Sequence, residues 1–325
     1  MDRSLPRAAF VALIALLLGA CTATPSAVGN VSNVGHGATN RRTEPILITM
    51  NLRTGALESW PMQRGGGGHP TPLSGNLGLP VVAGLAANGN VIVIASQSPP
   101  EIVLYDVQAQ TSRALPDPFG TPVDVAVGKD GSIYAINVAR SGAPVTMYPA
   151  PSFKPVELIC GLVSSGIAIA VDNESDIFIQ GYGSGISTLV AEIPNGASGP
   201  DAQHCTRLPL KGSAGYVEGV AIDPKTDALL TLDNPDACAG GIEGRLTVYP
   251  KPYNRLTGRS RQVGVLCSGG LRLNADSTAV FVGDSSLDFG TSVILQRAYP
   301  GGGDLGIYHG GKPIGFTTIP NTLPN

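Results

Sequence analysis

The chain has 325 residues, a formal net charge of −3, 14% charged residues, 43 Gly and 27 Pro. No basic cluster is present, which excludes nucleic acid as an expected partner. So few charges with so much Gly and Pro exclude a mainly helical fold and favour short strands joined by turns.

In chain order the first element is an export signal. Arg3 and Arg7 precede an unbroken apolar run from Ala8 to Leu18, too short to span a bilayer as a mature helix. The run ends in Leu18-Gly19-Ala20-Cys21. This stretch resembles the lipobox of bacterial lipoproteins: an aliphatic residue, two small residues, then the Cys that becomes the new N-terminus. The resemblance implies cleavage before Cys21, a diacylglyceryl thioether on its sulfur, and a further acyl chain such as palmitate on its amine. Several chains anchor far better than one, because each buried CH₂ contributes about 0.8 kcal/mol. A plain secretory signal with an incidental Cys is the competing reading.

Residues 1–20 are thus read as a lipoprotein signal peptide. Residues 21–44, rich in Ser, Thr, Asn, Gly and Ala, read as a flexible tether. Residues 45–325 form the expected folded domain. No later stretch reaches the roughly 18 uncharged apolar residues of a membrane-spanning helix. The expected location is the bacterial cell envelope, lipid-anchored and extracytoplasmic, with a monomeric body.

The domain repeats one module. Val125-Ala-Val-Gly-Lys-Asp-Gly-Ser-Ile-Tyr-Ala-Ile-Asn137, Ile169-Ala-Val-Asp-Asn-Glu-Ser-Asp-Ile-Phe-Ile-Gln180, the stretch from Val220 to Asp233 and the stretch from Leu271 to Asp284 each read as strand, polar turn, strand. Anchored at Ala86, Gly128, Asp172, Asp223 and Asn274, the copies are spaced by 42, 44, 51 and 51 residues. Periods in the forties with several short strands each are the signature of a β-propeller.

A third strand follows each hairpin, as in Val145-Thr-Met-Tyr-Pro149 and Leu246-Thr-Val-Tyr-Pro250; Pro donates no ladder bond and suits a strand end. Val156–Cys160 and Gln262–Cys267 read as fourth strands. The turn residues Asn88-Gly89, Asp130-Gly131, Asp172-Asn173, Asp223-Pro224 and Asn274-Ala275-Asp276 suit tight hairpins, which assigns these acidic residues to turns rather than to a metal.

Five blades fill residues 79 to about 310. A sixth is expected from both termini: Ile314–Asn321 as its first strand, and Ile46–Leu52 and Ala56–Trp60 as third and fourth. Its second strand is not evident, and seven blades remain open if residues 61–78 hide a strand. The Gly-rich run Arg64–Pro70 reads as a loop. The expected fold is therefore all-β, a propeller of six four-stranded blades closed by both chain ends.

The hairpins Val-Ala-Ile-Asp, Ala-Ile-Ala-Val-Asp and Ala-Val-Phe-Val-Gly-Asp-Ser resemble those of NHL-repeat propellers and of the senescence-marker/gluconolactonase group, over about residues 79–300. The second group implies an axial calcium ion that polarises a lactone and activates a bound water. Asp284 matches the second-strand Asp of that pattern. Asn137 and Asp233 occupy equivalent positions, and Glu218 opens a first strand. The group's Asn-Gly is Gly269-Gly270 here, so one ligand is missing.

Two function classes follow. The first is a propeller that binds an envelope protein or small ligand, with no cofactor. The alternative is a calcium-dependent lactonase or hydrolase using Glu218, Asn137, Asp233 and Asp284. Whether the chain is an enzyme at all stays open, with binding the favoured class.

Four cysteines besides Cys21 suggest two disulfides in an exported domain. Cys238–Cys267 is the favoured pair, since their connections emerge on one face of a propeller. That leaves Cys160–Cys205 between adjacent blades. Free buried thiols are the competing reading.

Overall fold

In a computed structural model, the chain is described from residue 46 to 319, apart from 52, 63–64, 67, 139–142, 184–187, 196–204, 211–215, 235–242, 254–257, 266–267, 285–292 and 310–314. For residues 65–66, 143–144, 216–218 and 268 only the backbone is described. Cys21, Cys238 and Cys267 lie outside the described residues, as do the signal peptide and tether.

The strands form six antiparallel sheets around a common axis, a six-bladed β-propeller. Blade 1 comprises Val82–Asn88, Val91–Gln97, Pro100–Asp106 and Thr111–Pro116. Blade 2 comprises Thr121–Val127, Ile133–Val138, Ala143–Tyr148 and Val156–Cys160. Blade 3 comprises Ser165–Val171, Ile177–Tyr182, Thr188–Ile193 and Thr206–Arg207. Blade 4 comprises Tyr216–Ile222, Leu229–Asn234, Arg245–Tyr249 and Arg259–Gln262. Blade 5 comprises Ser268–Leu273, Ala279–Asp284, Val293–Ala298 and Asp304–His309.

Blade 6 closes the ring with both chain ends. Phe316–Ile319 is its first strand and pairs antiparallel with Ile46–Asn51, Ile46 opposite Ile319. Ala56–Pro61 and Thr71–Pro72 follow. This corrects the expected strand positions. Ile46–Asn51 and Ala56–Pro61 are the second and third strands, and the inconspicuous strand is the fourth. It is two residues long and exposed, so no apolar pattern marks it. Gly65–Gly66, expected as loop, pairs in parallel with Gly306 and Ile307 of blade 5. The fourth strand of blade 4 ends at Gln262, where the expected strand begins; the Val263 and Val265 side chains beyond it are buried all the same.

Each blade is covered on both faces, so its strands read as continuous apolar runs instead of alternating ones. Leu85, Ile92 and Ile94 of blade 1 pack with Ile48, Met50 and Leu57 of blade 6. On the other face, Ala86, Val93 and Ala95 pack with Val125, Ile133 and Tyr148 of blade 2. Burial of such a side chain contributes roughly 1.5–3 kcal/mol.

The hairpin turns follow the turn chemistry. Gly89, Gly131, Ser175, Asp227 and Ser277 take positive φ at matching places in blades 1 to 5. Asp172 Oδ1 accepts the Glu174 and Asp176 amides at 2.9 Å, and Asn274 Oδ1 accepts those of Thr278 and Ala279 at 2.9 Å. The tyrosine before the Pro of blade 2 links blades: Tyr148 Oη donates to Pro116 O of blade 1 at 3.1 Å.

Cys160 and Cys205 form a disulfide with Cα atoms 5.4 Å apart. Cys160 ends the fourth strand of blade 2 and Cys205 precedes that of blade 3, so the bond joins neighbouring blades at the perimeter.

Candidate functional site

A β-bulge recurs near the start of the first strand in blades 1 to 5. The register shifts lie at Val82/Gly84, opposite Asn137 in blade 2, and at Gly166/Ala168, Val217/Gly219 and Ser268/Leu271. A bulge inserts an unpaired residue and bends its strand. The inserted residues are Ala83, Val123, Ile167 and Glu218, and in blade 5 Gly269 and Gly270 together stand opposite Gly283.

Ala83, Val123, Ile167 and Gly269, with residues just beyond the bulges, line a cavity of about 270 Å³ at the axis. Every blade contributes: Gly84, Asp124, Ala168, Gly219, Arg272 and Phe316 complete its wall. The cavity sits at the end where first strands begin and second strands end, here called the mouth. Small residues are required where the strands converge. A Cβ on Gly84 would lie 2.8 Å from the Asp124 Cα, and one on Gly219 would lie 2.8 Å from the Leu271 Cβ.

Two charged residues break this run of small ones. Arg272 Nη2 donates to Asp124 Oδ1 at 2.5 Å. Arg272 Nε donates to Leu85 O at 3.1 Å and Nη1 to Leu271 O at 2.9 Å. Asp124 Oδ2 accepts the Ile169 amide at 3.2 Å. One network thus ties blades 5, 1, 2 and 3 together at the base of the cavity. In blade 3, Gln180 serves the next bulge: its Oε1 accepts the Gly219 amide at 2.9 Å and its Nε2 donates to Leu232 O at 3.2 Å.

Sequence reasoning missed Arg272, Asp124 and Gln180. A signal existed for the first two. The corresponding places in other blades hold Gly84, Ala168, Gly219 and Gly270, or Ala86, Ala126, Ala170 and Ala221.

Asn137, Asp233 and Asp284 end the second strands of blades 2, 4 and 5 as expected. They do not line the axial cavity. Asn137 Nδ2 donates to Thr146 Oγ1 at 2.8 Å, and Thr146 Oγ1 donates to Asp117 Oδ1 at 2.7 Å. Asp233 Oδ2 pairs with Arg245 Nη2 at 2.8 Å; burial pushes its carboxyl up while Arg245 pulls it down. Thr146 and Arg245 lie on third strands, so both contacts run outward, away from the axis. The Oδ1 of Asn137 and that of Asp233 are each buried and have no hydrogen-bond partner among the described residues. Glu218 stands at its bulge by backbone, and its side chain lies outside the described atoms.

Among the described residues, one group of acidic side chains is close enough to hold a cation: Asp172, Glu174 and Asp176. It belongs to the blade 3 hairpin turn at the end opposite the mouth. Lys251 Nζ is already among them, 2.8 Å from Asp172 and 3.1 Å from Glu174.

The fold defines this chain as a six-bladed β-propeller, and among the described residues its axial cavity is largely apolar. No protein-family model matches the sequence, and no relative is found among the curated proteins. Solved structures share the fold at low identity. A chain of the nidogen/laminin complex matches with TM-score 0.65 and 13% identity, over 85% of this chain and 98% of that one. TolB from Acinetobacter baumannii matches with TM-score 0.59 and 12% identity, over 86% and 67%. A gluconolactonase from Xanthomonas campestris matches with TM-score 0.54 and 12% identity, over 74% and 82%.

Proposed function

We propose that this chain is a binding module of the bacterial envelope that takes a ligand or partner protein at its axial mouth. The observation that carries this reading is the state of the polar groups there. At the base of the cavity Asp124 is engaged by Arg272 and by the Ile169 amide. Among the described residues, what remains facing the cavity is small and apolar, with Ile167 a large hydrophobic residue at 36% exposure. Such a surface suits association more than group transfer. A propeller of the same fold occurs in the nidogen/laminin complex, where one protein meets another.

Tethering through a lipid on Cys21 belongs to the same proposal. The described strands begin at Ile46, paired with Ile319 at the end opposite the mouth.

The reading is tested with a panel of aldonolactones, with and without calcium. It expects no hydrolysis above the uncatalysed rate. Turnover that needs calcium and is lost in Asp284→Ala overturns it in favour of the hydrolase.

A further inference from the structure

Resting on the mouth as the binding site, we infer that the axial cavity takes a small, largely apolar molecule bearing a hydrogen-bond acceptor, a carboxylate or carbonyl. The size comes first. At about 270 Å³ the cavity falls just below the usual range of ligand pockets, roughly 300–1,000 Å³, so the ligand is small. The wall comes next. Ala83, Val123, Ile167 and Phe316 offer carbon, and the glycines let a flat body approach the backbone closely.

The polarity of the base then selects the head group. Both Asp124 oxygens accept a bond already, from Arg272 and from the Ile169 amide. Arg272 carries five N–H groups. Its bonds go to Leu85 O, Leu271 O, Asp124 Oδ1 and, at 3.5 Å, Val125 O, which leaves one N–H without a partner among the described residues. The Arg272 side chain is also the more exposed of the pair, 18% against 9%. The spare capacity at the base is therefore a donor, and it calls for an acceptor. Asp124 holds the guanidinium flat and preorganised, so little rotamer freedom is lost when the acceptor arrives.

The test uses benzoate and benzylamine, which share a ring and differ in the head group. Each is titrated by calorimetry into the full-length protein in nanodiscs. Saturable benzoate binding is expected, with benzylamine at least about tenfold weaker. Ile167→Glu places a negative charge at the rim without touching the Arg272 network, and it should weaken benzoate by about tenfold or more while the melting temperature stays put. Equal binding of the two probes, benzoate binding indifferent to Ile167→Glu, or no benzoate heat at all overturns the inference. In that last case, cross-linking of a partner at the mouth would keep the binding-module reading and discard the small-acceptor ligand alone.

Discussion

Arg272 of blade 5 is hydrogen-bonded to Asp124 of blade 2, which stands opposite it in the ring of six. Neither side chain is more than 18% exposed. Removing one partner leaves a charge in a poorly solvated place, which typically costs 3–5 kcal/mol when burial is complete. Arg272→Met alone should therefore destabilise the ring by about 3 kcal/mol. The double variant Asp124→Leu/Arg272→Met should recover most of that loss. Urea midpoints across the double-mutant cycle measure it; additive losses would show that the pair is not coupled.

The Asp117 carboxyl carries a second, pH-dependent prediction. Burial pushes it above the usual carboxylate range, against the bonds from Thr146 and the Phe119 amide. Its Oδ2 and the Asn137 Oδ1 are buried acceptors with no donor among the described residues. A carboxyl raised in the folded state contributes no penalty below the unfolded pKa, and stability is lost as pH rises through the folded one. Asp117→Asn removes that ionisation and supplies an N–H. The variant should be more stable than wild type by about 1 kcal/mol at pH 7, with the gain shrinking toward pH 4. Thermal unfolding at a series of pH values reads this; a gain that grows on acidification refutes the assignment.

The Cys160–Cys205 bond closes 45 residues of chain. A loop of that length predicts about 3–4 kcal/mol of stabilisation through the unfolded state. The double variant Cys160→Ala/Cys205→Ala should lose that amount in denaturant titrations. Both residues sit at the perimeter, so the axial cavity should keep its affinity for any probe.

Ring closure rests on four residue pairs between Phe316–Ile319 and Ile46–Asn51. Deleting residues 316–325 uncovers Leu47 and Ile48, both fully buried, and exposes a strand edge that other chains can pair with. Light scattering should show oligomers, and the cooperative unfolding transition should broaden. A monomer with an unchanged transition would mean that the ring does not need its first strand.

Much of the fold is legible in the sequence because its signals are local. Asn88-Gly89 and Asp130-Gly131 announce tight turns, and the runs Val91–Ile94 and Leu229–Leu232 announce strands covered on both faces. The fourth strand of blade 6 is not legible, since Thr71–Pro72 is too short and too exposed to form a pattern. The site is harder for a different reason. Arg272 and Asp124 are 148 residues apart, and their meeting depends on bulges that shift the phase of each first strand. Alternation cannot reveal an inserted residue, so nothing in the sequence marks Ile167 and Val123 as cavity wall. Asn137 and Asp233 stand at the expected blade positions; Thr146 binds the Nδ2 of one and Arg245 the Oδ2 of the other, a pairing that sequence spacing does not reveal.

The central claim, that binding happens at the mouth, is tested most directly by site-specific photo-cross-linking in native membranes. A photoreactive residue replaces Ile167 at the mouth or Lys225, which is exposed in the blade 4 turn at the opposite end. The account predicts a discrete adduct from position 167, suppressed by excess unmodified protein, and none from position 225. Adducts of equal yield from both positions, or from 225 alone, would contradict it.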